Sequence, residues 1–460
     1  MKVDPGLAPR ALSPAVGRIW ELSASRILEL EASYDLGRGS PVFTREGRWT
    51  SRGWTEWTQG FQYGSALLQF DATGEERFLE IGRENTVQRM AAHLTHAGVH
   101  DHGFNNVSTY GNLLRLLNEG RLPERAWERS FYELALKSSG AVQARRWTRI
   151  AGGGGFIYSF NGPHSLFVDT IRSLRSLALA HLLGQVLLEE NDERVSLLER
   201  LLQHAAATAR YSVYYGEGRD RYDLRGRVAH ESIFDVNDGR YRCPNTQQGY
   251  SPFSTWTRGL AWAMLGFAEQ LEFLEALSDW GPAEAGKQEA LDGVLRALRA
   301  TCDFYLENTA ADGLPYWDTG APGLEQLGDW RAVPADPFNT HEPVDSSAAA
   351  IACQGLMRFG VYLDSRGDPQ GRHYLGAGLG VLARLLQEPY LNRSAGHQGL
   401  LLHSVYHRPA GWDHVPPGRS VPCGESSMWG DYHLREAGLL AQRLAGGGPY
   451  PVFWKAREGA

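Results

Sequence analysis

The chain has 460 residues, 42 % of them apolar, enough for a large core, and its 22 % of charged residues lies near the globular norm, which excludes wholesale disorder. The 46 Lys and Arg against 53 Asp and Glu leave a formal charge of −7 at pH 7, which argues against a broad phosphate-binding face and against a nucleic-acid partner. With 14 Trp, 19 Tyr and 17 Phe the aromatic share is 11 %, and flat rings both pack cores and stack on sugar faces.

Helical periodicity dominates. Apolar residues recur at i, i+3, i+4 and i+7 over 15–33, 60–70, 77–97, 107–118, 124–138, 170–188, 195–212, 258–277, 285–306, 345–363, 374–386 and 429–444. Only two short stretches alternate like strands, GFIYSF at 155–160 and LPYW at 314–317. Strands do not alternate with helices, so a parallel α/β sheet is not expected. Long Gly-, Pro- and polar-rich segments lie at 34–56, 139–168, 213–257, 308–344 and 387–428, and loops of this length are usually functional. Six helix starts carry a polar or aromatic cluster: WTQGF at 57–61, HDHGF at 100–104, VDT at 168–170, STWTRGLAW at 254–262, VDSSAAA at 344–350 and SSMWGDY at 426–432. Each leads into an apolar helix rich in small residues. That organisation predicts an all-α closed double ring, an (α/α)6 barrel, with the six clusters converging on one pocket. No linker divides the chain, so residues 1–460 read as one domain.

Cys243, Cys302, Cys353 and Cys423 are far apart and form no CxxC; they read as buried free thiols of a reducing compartment. The first residues, MKVDPGLAPRALSPAVG, contain no apolar signal core, and no uninterrupted apolar run reaches membrane-spanning length. A cytoplasmic protein with no membrane partner is the expectation.

Two acids sit where loops enter helices, Asp101 in HDHGF and Asp169 in LFVDT. Asp169 is explained as a helix N-cap, or as a carboxyl held partly desolvated beside a second carboxylate at a sugar-sized cleft. His230 stands in a long loop, where a histidine is ordinarily just solvated. Arg258 and Trp262 share a helix face. An arginine at a helix start opposes the helix dipole, which favours either a fork for a substrate carboxylate or a structural ion pair to an acid. The string His96, His100, His102 is a weak metal pattern, and no other His/Cys spacing suggests one. The glycines at 152–155 lack the GK[ST] of a phosphate loop, and no nucleophile elbow is present.

The stretches WTQGF, HDHGF, VDT, QQGYSPFSTWTRGLAW, LPYWDTGAP, DSSAAAIACQGL, GLLLHSVYH and ESSMWGDYHLREA occur in this order from residue 57 to 436. Together they resemble the unsaturated glucuronyl hydrolases, glycoside hydrolase family 88. The resemblance implies an (α/α)6 barrel that removes a 4,5-unsaturated uronic acid from the non-reducing end of an oligosaccharide, without metal or cofactor. Water adds across the enol-ether double bond, and the resulting hemiketal opens and expels the rest of the glycan. By the same resemblance Asp169 is the general acid/base and Asp101 its partner. His230, Gln248 and Arg258 bind substrate, Trp262 stacks on the sugar, and Tyr406 lines the pocket. The anion of Asp101 is then expected to keep Asp169 protonated. The chain departs from the family's pattern at Gln62 and Phe160, where Trp is usual, and at Ile171-Arg172-Ser173, where Met-Met-Asn is usual. The string Ser404, His407, Pro409 stands where some members carry Ser-x-x-Ser-x-Lys for a sulfate. Both departing positions, Gln62 and Phe160, are expected to face the substrate. A related hydrolase of unsaturated rhamnogalacturonan products or intact glucuronides, and a non-catalytic sugar-binding toroid, are the alternatives.

Overall fold

A computed structural model describes residues 1–53, 56–448 and 450–454. Among these, six helical runs form an inner ring. They are Gln59–Thr73, His102–Asn106 continued by Asn112–Asn118, Thr170–Ser173 continued by Arg175–Leu182, Thr257–Ala276, Ser346–Ser365 and Met428–Gly446. Each packs on the next, and the last returns to the first. Six outer helices cover the ring: Glu76–Arg89, Ala126–Arg145, Leu197–Tyr211, Lys287–Glu307, Gly371–Leu385 and, closing the circle, Ser13–Ser33. The architecture is the (α/α)6 barrel. The closure is made by the first and last long helices, where Trp20 donates to Gln442 at 2.7 Å.

The two rings follow from their sequences. Outer helices are two-faced: in Lys287–Glu307 the buried Val294, Ala297, Leu298, Thr301 and Tyr305 recur every three to four residues. Inner helices are buried all round, as in Ser346–Ser365, and they approach closely where a side chain is missing. A Cβ at Gly60 would lie 2.4 Å from the Asn105 Cα, and one at Gly103 would lie 2.5 Å from the Ser173 Cα. Connections from an inner helix to its outer partner are mostly short, as at 74–75 and 366–370, with the hairpin segment 183–196 the exception, whereas those from an outer helix to the next inner one are mostly long. Apart from that hairpin, the long loops therefore gather at the end of the barrel where the inner helices begin.

Several boundaries differ from the periodicity. The stretch 77–97 breaks at Met90 into Glu76–Arg89 and Ala91–Leu94. The helix expected over 170–188 stops at Leu182, because Gly184 takes a φ of 77° and its N–H caps the His181 carbonyl at 2.8 Å. Val186–Leu188 instead pairs with Arg194–Ser196 as a hairpin. Within 155–160 only Gly155–Ile157 is a strand, antiparallel to Trp147–Arg149. LPYW at 314–317 is no strand; Tyr316 makes a single bridge to Val344. Short sheets went unnoticed in the loops, chiefly Ser165–Phe167 with Glu231–Phe234 and Tyr241–Asn245. Of the cysteines, Cys302, Cys353 and Cys423 are buried, but Cys243 is exposed on the edge strand. Among the described residues no helix is long and apolar enough to cross a membrane.

Candidate active site

At the loop end of the barrel a cavity of about 120 Å³ opens onto the inner-helix starts. A larger one of about 740 Å³ lies between the outer helices Leu197–Tyr211 and Lys287–Glu307, with Ala205, Ala209, Ala290 and Gly293 in its walls, and contains neither candidate acid. The smaller cavity holds the chemistry: Asp101, Asp169 and His100 on one side, Arg258 and Gln248 on another, with aromatic rings between.

Asp101 immediately precedes the helix His102–Asn106, and Asp169 precedes Thr170–Ser173; neither side chain caps its helix. The N-cap explanation for Asp169 therefore fails, and Asp101 makes no cap bond either. Instead the two carboxylates converge on one imidazole. His100 Nε2 lies 3.3 Å from Asp169 Oδ1 and 3.6 Å from Asp101 Oδ1. The ring is fixed by Phe160, stacked at 5.7 Å, and by the edge of Phe167 at 5.5 Å.

Burial strongly disfavours charge in this corner, and the neighbours decide where it survives. Burial lowers the His100 pKa, but Asp101 and then Asp169 outweigh it, so the imidazole is held above its ordinary range. For Asp169 burial pushes up, and the adjoining His100, with a smaller pull from His230, brings it below the ordinary carboxylate value. For Asp101 burial wins over the pull of His100, and Asp169 adds to the rise. The unliganded site thus runs opposite to the expectation from sequence: Asp169 carries the charge and Asp101 holds a proton more readily. The cause is His100, which lies closer to Asp169.

His230 is buried between Phe167 and Trp256, at ring separations of 4.4 and 4.7 Å. Its Nδ1 accepts from the Gln247 N–H at 3.0 Å. Burial lowers its pKa to about 4, so the ring is neutral with its proton on Nε2, an atom with no protein partner. It is therefore a fixed neutral donor and not a solvated loop histidine.

Arg258 reaches the cavity with its fork already engaged. Nη1 donates to Asp345 Oδ2 at 3.0 Å and to the Val405 carbonyl. Nη2 donates to Gln248 Oε1 at 2.9 Å and the Tyr406 carbonyl at 2.7 Å. Its planar faces meet Trp256 and Trp429. Of the two explanations open from sequence, the ion pair to an acid is the one the geometry displays. Arg258 orients Gln248 and the 405–406 backbone. Tyr406 packs against Phe43, Trp412 and Trp429, and Trp262 against Phe104 at 4.8 Å. Tyr406, Trp262 and Phe160 all line the cavity.

Gln62 does not. Its side chain faces a separate crevice of about 20 Å³ with Arg26, Trp49 and Arg435. The reason is helical phase: one residue turns the side chain by about 100°. The aromatic ring at this helix start is supplied by Trp57, which lines the cavity and stacks on Trp429 at 5.2 Å. Sequence reasoning also missed His100 and Trp412. His100 was visible as the neighbour of Asp101, but was read within a metal string. The string does not converge, since His102 bonds Ser139 at 3.0 Å and the His96 carbonyl at 3.0 Å. Trp412 comes from a loop without periodicity.

No family model matches the chain. It is 27 % identical over 398 residues to the unsaturated glucuronyl hydrolase of Bacillus sp. (strain GL1), covering 85 % of this chain and 87 % of that protein. By fold and sequence the chain is a divergent relative of the unsaturated glucuronyl hydrolases. It is also 25 % identical over 405 residues to the unsaturated chondroitin disaccharide hydrolase of Streptococcus pyogenes serotype M1, over 86 % of this chain and 83 % of that one. The crystal structure of the Bacillus sp. GL1 unsaturated glucuronyl hydrolase matches the fold with a TM-score of 0.68 at 22 % identity. That match covers 96 % of this chain and all of the other.

Proposed function

We propose that this chain is a single-domain hydrolase that removes a 4,5-unsaturated uronic acid from the non-reducing end of an oligosaccharide by hydrating its enol ether. The observation that carries the reading is the convergence of Asp101 and Asp169 on His100 beneath an aromatic-walled cavity. Hydration needs one proton delivered to C4 and one taken from the water that attacks the oxocarbenium-like C5. Asp169 does both once it has a proton, which the unliganded electrostatics leave on its neighbour His100. His100 is the charged reservoir beside it. A substrate carboxylate entering this buried corner adds like charge, which raises Asp169 toward the working range of a general acid. Asp101, whose pKa burial raises, limits the repulsion between the carboxyls by taking up a proton more readily. His230 donates from Nε2, and Gln248, aligned by Arg258, presents its amide to the sugar. Trp262 and Tyr406 bound the ring. The cysteines are free thiols, and a reducing, cytoplasmic setting fits them.

The test is a panel of lyase-made unsaturated disaccharides, followed by loss of the enol-ether ultraviolet absorbance. Turnover with stoichiometric release of the second sugar supports the proposal. Binding without absorbance loss would make the barrel a sugar-binding toroid, and turnover confined to saturated glucuronides would mean cleavage by another route.

A further inference from the structure

Two loops bring an aromatic pair together on the surface. The segment that places Gln247 and Gln248 in the cavity continues to Phe253, and the segment before His230 carries Tyr222. The rings of Tyr222 and Phe253 lie 4.9 Å apart at 30° to one another, and both face solvent, at 52 % and 43 % exposure. Exposed aromatic residues are common singly, but this pair is held by a rigid frame. Asp223 accepts the backbone N–H groups of Gly216, Glu217 and Arg219 at 2.8, 3.1 and 2.7 Å. Asp220 accepts that of Tyr222 at 2.7 Å. The buried Arg227 joins the loops, donating to Asp220 at 2.9 Å and to the Pro252 carbonyl at 3.2 Å.

We infer that Tyr222 and Phe253 form a second saccharide-binding subsite, outside the catalytic cavity, for distal sugars of a longer substrate whose unsaturated end occupies that cavity. The inference rests on the function proposed above and extends it to substrate length. Three features identify the occupant. The platform is joined to the cavity lining along the chain, Phe253 standing five residues after the cavity-lining Gln248. Five residues of chain from Gln248 span at most about 17 Å, the reach of a few pyranose rings. The overlapping rings brace one another and leave outer aromatic surface exposed, the flat apolar surface that the C–H face of a sugar covers. Preorganised rings lose little freedom on binding, so the contact is worth most where the frame is rigid.

The experiment compares kcat/KM for an unsaturated disaccharide and an unsaturated hexasaccharide from the same glycan, in the wild type and in the Tyr222→Ala/Phe253→Ala variant. The expected result is disaccharide turnover within about twofold of wild type. Hexasaccharide kcat/KM falls about three- to tenfold, through KM. Equal losses on both substrates, or none on the hexasaccharide, overturn the subsite. If the double variant fails to fold, Tyr222→Ala alone carries the same comparison. If the wild type turns over neither substrate, the proposed function fails. Calorimetric binding of the hexasaccharide then decides the platform separately, with weaker binding to the variant in its favour and unchanged binding against it.

Discussion

At the start of the helix Ser346–Ser365, Asp345 accepts from the backbone N–H groups of Ser347 and Ala348 at 3.1 and 3.4 Å and takes the Arg258 fork at 3.0 Å. At the starts of His102–Asn106 and Thr170–Ser173, Asp101 and Asp169 occupy the same cap position and make no such bonds. Around them His100 Nδ1, Thr170 Oγ1 and His230 Nε2 are buried without a protein hydrogen-bond partner, and Asp169 Oδ1 meets His100 Nε2 at 3.3 Å. Buried polar groups in folded proteins are ordinarily satisfied, and the exceptions ask for an explanation. The protein itself satisfies the Arg258 corner, whereas the Asp169 corner keeps buried polar groups that, under the proposed function, a substrate would meet. Residue type does not separate the corners, since each holds an acid and a base; hydrogen-bond satisfaction does.

The comparison breaks most directly by removing one group from each corner. Asp169→Asn is expected to lower kcat about 10²- to 10⁴-fold, with a melting temperature within about 4 °C of wild type and substrate binding retained by calorimetry. Arg258→Ala is expected to lose about 3–5 kcal/mol of stability in urea titration, because Asp345 is left as an uncompensated buried charge. Adding Asp345→Asn to that variant should restore part of the loss. A fully stable Arg258→Ala protein with only a raised KM would reverse the assignment and make Arg258 a substrate fork after all.

Much of this arrangement was legible in the sequence, and the failures have identifiable causes. Twelve helical stretches and six polar helix starts follow from periodicity, which is local. Asp101 and Asp169 stand out because an acid at a loop-to-helix junction is recognisable in one dimension. Whether it caps the helix depends on rotamer and on neighbours from other segments. Arg258 shows the same limit: its partner Asp345 is 87 residues away. Gln62 was misplaced because alignment by motif ignores helical phase, which a one-residue step reverses. His100 was overlooked because its importance lies in standing between two carboxylates, one adjacent in sequence and one 69 positions on. The ring closure by Ser13–Ser33 rests on packing between chain ends, which no local pattern encodes.

A sharper and smaller test concerns the charge balance of the acid corner. His100 binds its proton more tightly in the folded state. Its contribution to stability is fully present below the ordinary imidazole value and is lost as pH rises through the raised one. Asp169 runs the other way: its contribution is present above the ordinary carboxylate value and lost as pH falls through the lowered one. The pair therefore stabilises most between those limits. Wild type is expected to be more stable than His100→Gln near pH 6, and the difference to shrink as pH rises above the imidazole's raised value. A difference that grows with pH would mean that His100 is neutral in the folded protein. Asp101 would then be the only group left to keep a proton in the corner.

The smallest expected effect lies at the opposite wall, where the family's sulfate string is replaced by Ser404, His407 and Pro409. Ser404 is buried, with its hydroxyl 3.4 Å from that of Ser346, and so contributes nothing to the cavity. His407 lines the cavity, but burial first and Arg258 second lower its pKa to about 4, so it is neutral at pH 7. Its Nδ1 accepts from the Ala410 N–H at 3.3 Å, which leaves one donor and no charge. Pro409 has neither side-chain donor nor backbone N–H. A sulfate entering here gives up water for a single neutral partner, an unfavourable exchange. On matched unsaturated disaccharides, kcat/KM is expected to favour the unsulfated sugar over its 6-sulfate by about three- to thirtyfold. Arg419 is directed elsewhere, to the Phe338 carbonyl at 3.0 Å. Arg52, whose guanidinium lies over the cavity-lining Trp412 at 4.3 Å, is a cation behind this wall. A tenfold preference for the sulfated disaccharide would show that such a cation has taken the role of the missing lysine. Arg52→Gln would then abolish the preference if Arg52 is responsible and leave it intact if not. Either result would move this wall from the satisfied, scaffold side of the comparison to the side that meets substrate.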